Sequence, residues 1–274
     1  MCHLIYTDTF YMKRKWIRWV SWILLTPIIL FVILMVLLYV PPVQNLLRRE
    51  VTAYASKATG MQIQVERIDL RFPLNLLVRG VEVIQQPDTL LSLESLNVRV
   101  QAWPLLKGKV EVDEVTLSQV AVNSANLIEG MQIKGVLGRF FLQSHGVDLS
   151  NETAVVNRTE LSDTHIQLLM TDTTTTPKDT TASAPVNWKV NLHQLKLKNV
   201  SFGMKLPADS MKMAAYIGEA TIDDAKADLK NQFYGLKQFL LSGASASYDT
   251  GEAQPSEGFD ASHMAVRNIR IGLD

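Results

Sequence analysis

The stretch Lys109–Asn123, KVEVDEVTLSQVAVN, decides the fold. Its apolar residues Val112, Val115, Leu117, Val120 and Val122 follow steps of three, two, three and two. Wound on a helix at about 100° per residue, these positions scatter round the whole circumference, which excludes an amphipathic helix. Along a strand, each step of two keeps one face. Each step of three then needs a bulge or corner to bring the next apolar pair back to that face. The same spacing returns at Leu192, Leu195, Leu197, Val200 and Phe202. A weaker copy runs through Ile217, Ala220, Ile222, Ala225 and Ala227, and a shorter one through Met264, Val266, Ile269 and Ile271. A pentapeptide β-helix also places an apolar pair every five residues. It prefers a small residue at the first position, where Val112, Val115 and Leu192 are large, and its runs are longer.

Outward from these repeats the alternation continues in MQIQVERIDLRF, LLVRGVEVIQ and LSLESLNVRVQ, rich in Val, Leu and Ile. The reading is a chain that is mainly β over 61–170 and 187–274. Its sheet is elongated and curved and keeps one apolar face. Between the two parts, 171–186 carries seven threonines in the eleven residues from Thr171 to Thr181, with Pro177 and Pro185 and no large apolar residue from Asp172 to Pro185. That composition predicts a solvated linker or loop. Asp-Thr-Thr at 172–174 and 179–181 resembles the O-glycosylation signal of Bacteroidota. Sequons also occur at Asn151, Asn157 and Asn199.

Trp19–Val40, WVSWILLTPIILFVILMVLLYV, has no charged residue. At ~1.5 Å per helical residue it spans about 33 Å, enough to cross a hydrocarbon core. Trp16, Trp19 and Trp22 stand at one interface and Tyr39 at the other. Lys13, Arg14, Lys15 and Arg18 precede the run, so the positive-inside rule predicts a cytoplasmic tail over 1–18, a span over 19–40 and an exported remainder. A cleaved signal peptide would have a shorter apolar core and small residues at its end, not Tyr39-Val40-Pro41-Pro42. Over 41–60 the residues Leu46, Leu47, Glu50, Val51, Tyr54 and Ala58 share one side of a short amphipathic helix, ending at Gly60. That side is expected to pack on the next domain or to touch the membrane.

Composition excludes several classes. The 274 residues carry 27 basic and 27 acidic side chains, so there is no basic excess to meet nucleic-acid phosphates. The single cysteine, Cys2, rules out a disulfide scaffold. No two of the five histidines lie at i, i+4, and there is no Cys-x-x-Cys, Gly-x-Ser-x-Gly or phosphate-binding loop. His145, or His165 near Asp163, are the conceivable bases, and each reads more simply as a surface histidine. Asp223-Asp224 fills a polar step of the repeat and reads as a solvated corner. The chain is read as no enzyme, with no cofactor and no metal site.

The basic-flanked anchor, the short helix and β units of the form TLLSLESLNVRVQAWPLLKGKVEVDEVTLSQVAV together resemble the AsmA/TamB family of bacterial envelope proteins. The closest stretch is Leu90–Val122, with its Trp-Pro-Leu-Leu-Lys-Gly-Lys turn at 103–109, and the Thr-rich insertion resembles Bacteroidota members. The resemblance implies a taco-shaped β-groove in the periplasm, anchored in the inner membrane, whose apolar interior carries membrane lipids between the two membranes. Val112, Val115, Leu117, Val120, Val122, Leu192, Leu195, Leu197, Val200 and Phe202 would line it. For TamB-like translocation and assembly modules the resemblance also implies an Omp85-type outer-membrane barrel protein as partner in protein assembly or secretion. TamB-type members are several times longer and end in a C-terminal domain not seen here, so the sequence reads as the N-terminal portion of such a protein.

Overall fold

The structure is a computed structural model. It describes residues 39–105, 111–125, 127, 130–148, 152–170, 187–207, 210–252, 258, 260 and 262–273. The basic tail, residues 19–38 and the Thr-rich 171–186 lie outside the described residues. Among those described, no helix is long and apolar enough to cross a membrane.

Eleven strands form one sheet, nearly all antiparallel and nearly all in sequence order. They are β1 (Gln62–Arg71), β2 (Asn75–Gln85), β3 (Asp88–Val100), β4 (Val112–Asn123), β5 (Met131–Asp148), β6 (Thr153–Met170), β7 (Lys189–Leu206), β8 (Met211–Asp228), β9 (Phe233–Gly235), β10 (Gln238–Asp249) and β11 (His263–Leu273). The short β9 pairs with β8 beside the main path. Helix α1 (Pro41–Thr59) precedes the sheet, and a single turn, α2 (Ala102–Leu105), joins β3 to β4. One pair breaks the alternation: β6 and β7 are parallel, with Thr153 beside Lys189 and Leu169 beside Lys205. β7 therefore starts at the end of the sheet at which β6 began.

The steps of three in the sequence are corners in the backbone. Gly80, Gln119, Asp163, Asn199 and Gly243 have φ of +58°, +50°, +52°, +54° and +65°. The register places the first four in one transverse line with Glu66, Glu94, Gly138 and Gly218. Between antiparallel neighbours the left-handed residue alternates with one that is not, whereas the parallel pair β6/β7 has both, and there Asn199 Nδ2 donates to Asp163 Oδ1 at 2.7 Å. Asn and Asp tolerate this region better than other side chains, which is why they recur at the corners. Six residues away, about 20 Å at ~3.3 Å per residue, a second line passes through Asp113, Asn157, His193 and Asp224, the last with φ +50°. Asp223-Asp224 is thus a corner, as its position in the repeat predicts, and Asn157 and Asn199 are corner residues.

Helix α1 lies along the outer edge of β1. The polar residues Gln44, Arg48, Thr52 and Ser56 recur every four positions and form one stripe. Gln44 Nε2 donates to Leu70 O at 3.1 Å, Arg48 Nη1 to Val65 O at 3.3 Å and Glu66 O at 2.9 Å, and the Ile63 amide donates to Ser56 Oγ at 3.1 Å. The stripe satisfies edge groups that would otherwise template strand addition. This corrects one of the two expectations for the apolar side of the helix, packing on the next domain: Leu46, Leu47, Val51 and Tyr54 are exposed, because the sheet edge demands hydrogen-bonding partners rather than apolar ones. Pro at the first positions starts α1, and Gly60 at φ +70° ends it, donating to Ser56 O at 2.9 Å.

Close approach at the first line of corners requires glycine. A Cβ on Gly138 would stand 2.7 Å from Asp163 Cβ and 3.0 Å from Asp163 O, neither of which can swing away, whereas one on Gly60 would meet nothing within 4 Å. Gly138→Ala is expected to destabilise by about 1–3 kcal/mol through overpacking. Gly60→Ala carries only the backbone penalty of its left-handed conformation, about 1 kcal/mol. Urea midpoints of the two variants check the order, and equal midpoints would show that the corner line can relax.

Candidate functional site

Cross-strand register turns the repeat into continuous rows. One row reads Ile68, Val78, Leu96, Leu117, Phe140, Leu161, Leu197, Ala220, Leu241 and Ile271 from β1 to β11. The next reads Leu70, Leu76, Val98, Val115, Leu142, Thr159, Leu195, Ile222, Phe239 and Leu273. Across the first line of corners, Val65, Val81, Leu93, Val120, Leu137, Thr164, Val200 and Ile217 form a third row. A fourth contains Ile63, Val83, Leu91, Val122, Gly135, Ile166, Phe202 and Ala215. The opposite face is mainly polar: one row there is Arg67, Arg79, Ser95, Ser118, Arg139, Ser162, Lys198, Glu219 and Ser242.

Eight of the ten residues singled out in the sequence fall pairwise into these rows. Val115 shares one with Leu195, Leu117 with Leu197, Val120 with Val200 and Val122 with Phe202. Val112, beside Val100, and Leu192, between Val156 and Ala225, lie beyond the second line of corners. The strands that join the two sets, β5 and β6, were not picked out from the sequence. Their signal is present in weakened form: Ala154, Val156, Thr159, Leu161, Thr164 and Ile166 have the same spacing, with threonine at two inward places.

Burial on the apolar face is deepest beside the corners and falls away from them. Thr164 is 2% exposed and Ala220 3%, with Ser144, Ala244, Ile68, Leu93 and Val156 also buried. Farther out, Phe202 is 42% exposed and Val266 57%, and Val122 and Ile166 are exposed too. Side chains flanking a bend converge only on its inner side, so the apolar face is the inside of both bends. No second layer covers it among the described residues, and none of their large side chains is fully buried. Thr164 Oγ1 donates to Ser162 O at 3.2 Å, which meets the hydroxyl's need for a partner at this dry position. A hollow of about 280 Å³ between Val190, Leu192, Ile222, Ala225, Tyr234 and Leu236 lies on the same face.

The titratable groups belong to corners, loops and the polar face. His165 Nδ1 and Ser201 Oγ are 2.7 Å apart on the polar side, and Asp163 accepts from Asn199. His193 Nδ1 stands 3.1 Å from Asp224 Oδ1 across the second line of corners, and His145 is exposed. His263 sits between Asp260 and Asp249 at 3.0 and 3.3 Å. Hydrogen bonds from Ser262, with His263 adding to them, hold the Asp260 carboxyl below its ordinary range, and hydrogen bonds from Asn231 do the same for Asp228. No group of three or more His, Cys, Asp or Glu side chains among the described residues is arranged to hold a metal ion.

Ala220→Leu places three extra heavy atoms at the inner side of the bend and is expected to destabilise by about 1–3 kcal/mol. Phe202→Leu, on the open flank, is expected to cost under about 1.5 kcal/mol. Thermal midpoints measured side by side check this; the reverse order would mean that burial does not concentrate at the corners. Compared with known proteins, the chain matches no family model, no curated protein and no solved structure.

Proposed function

We propose that the chain is an inner-membrane-anchored periplasmic protein of envelope biogenesis whose bent sheet is an open groove that carries lipid between inner and outer membranes. The observation that carries this reading is the set of apolar rows on the inner side of both bends, half-buried and without a covering layer among the described residues. A water-soluble sheet that left such a face uncovered would expose far more contiguous apolar surface than an ordinary monomer does. Acyl chains are the chemistry that such a face accepts: long, flexible, without polar atoms, and indifferent to position along a row. The resemblance of Leu90–Val122 to AsmA/TamB units supports the same reading, and the apolar run 19–40 behind its basic flank supports the anchor.

Leu197→Asp and Lys196→Asp test it. Leu197 lies between Leu161 and Ala220 on the apolar face, and Lys196 between Glu160 and Thr221 on the polar one. In a closed core an unpaired charge costs about 3–5 kcal/mol. In an open groove Leu197→Asp keeps the protein folded but removes the lipid recovered by extraction from the purified full chain. Lys196→Asp changes neither. Unfolding by Leu197→Asp would assign these positions to an ordinary core, and an unchanged lipid load would place the lipid elsewhere. Orientation has its own test: alkaline phosphatase fused after Asp274 is expected to be active in a bacterial host, and inactivity would reverse the topology.

A second reading, a TamB-like scaffold for outer-membrane protein assembly with an Omp85-type partner, is favoured by one feature. The β1 edge is covered by α1, whereas nothing pairs with the outer edge of β11 among the described residues. That edge can accept an extended client strand. Co-isolation with an outer-membrane barrel, without lipid, would favour it.

A further inference from the structure

The two ends of the sheet differ in chemistry. Where β1 turns into β2, Phe72 is 85% exposed, and the adjacent β3–β4 connection presents Trp103, 71% exposed. The two connections are tied together, since the Val100 amide donates to Leu74 O at 2.9 Å. Farther along the same end, Phe233 and Tyr234 are exposed as well. At the other end the described connections offer Gln86, Pro87, Ser124, Pro207, Ser210 and Glu252, and Leu127 is their exposed large apolar residue.

Most of each of these aromatic rings is left uncovered by the described residues. They do suit the boundary between headgroups and acyl chains, where Trp, Tyr and Phe find an apolar body and a wet rim. The chain itself says which surface is within reach. Tyr39 Oη donates to Pro73 O at 2.7 Å, so the end of the apolar run 19–40 is pinned to the turn that carries Phe72. If that run crosses a bilayer, Phe72 and Trp103 stand at the level where it emerges.

We infer that this end of the sheet is a membrane-docking surface, with Phe72 and Trp103 seated in the interfacial layer of the bilayer that holds residues 19–40. The inference rests on the anchored-groove reading and deepens it. The row from Leu70 and Leu76 to Leu273 is the one nearest this end in β1 and β2, the strands that Phe72 joins, so docking opens the apolar face at the lipid surface there. A lipid then leaves the bilayer without crossing water.

The test uses the full chain in liposomes of phosphatidylethanolamine and phosphatidylglycerol. In a Cys2→Ser background, single cysteines are introduced as Phe72→Cys, Trp103→Cys or Gln86→Cys and labelled with a polarity-sensitive fluorophore. Labels at 72 and 103 are expected to shift their emission to the blue and to be quenched by lipids brominated in the upper acyl chain. The label at 86, at the opposite end, is expected to do neither. A carbonate wash separates the two ways of failing. A chain that stays with the liposomes while all three labels remain in water overturns the docking surface alone. Release of the chain by the wash overturns the anchor and the docking together. A blue shift that grows with protein density and resists bromolipid would assign the aromatics to contact between copies, and would also overturn the inference.

Discussion

Everything in this molecule follows from the need of one very wide sheet to shield an apolar face without a second layer. Most sheets solve this by packing against helices or another sheet. Here the described residues supply only α1 and the single turn α2, and α1 covers an edge rather than a face. The remaining route is to bend the sheet so that its own rows shield one another. Left-handed corners at Gly80, Gln119, Asp163, Asn199, Asp224 and Gly243 do this. Thr164 and Ala220, the most buried of the apolar-face residues, lie beside the first line.

The bend also explains the composition of the corners. At some of these corners the left-handed residue stands so close to its partner that a Cβ there would collide. Hence Gly138 faces Asp163, and Gly218 stands with its would-be Cβ only 3.1 Å from Gly243 O. Where the partner is glutamate, as at Glu66 opposite Gly80, the glycine has moved to the left-handed strand instead. At Asp163 the step of three in the sequence and Gly138 across the ladder are therefore one device seen from two strands. Shielding by bending is incomplete by construction, because it covers rows close to a corner and leaves the flanks open. The same incompleteness supplies the face on which the lipid-carrying reading depends.

Edges present a separate problem with an unequal solution. The polar stripe of α1 occupies the backbone groups of β1, so the sheet is closed there by side chains of its own chain. That choice reverses the usual amphipathic logic and leaves Leu47, Val51 and Tyr54 outward. Sequence periodicity showed the apolar side of this helix and not the polar stripe that would face protein, because the edge that attracts Gln44, Arg48 and Ser56 exists only once β1 is paired with β2.

Spacing along the chain, taken alone, determined that β4, β7, β8 and β11 are strands with regular corners and one apolar face. Steps of two and three are local geometry, legible wherever the inward residues are large and apolar. They are fainter in β5 and β6, where Gly135, Thr159 and Thr164 occupy inward places, since a threonine beside a bend is buried by neighbours the linear pattern does not contain. The parallel pairing of β6 with β7 was likewise beyond the sequence. No residue type encodes the direction of a return connection, and either direction keeps the apolar rows in line. Only the assembled sheet decided that Val115 and Leu195, or Leu117 and Leu197, belong to common rows, because rows are made by hydrogen-bond register between strands far apart in the chain.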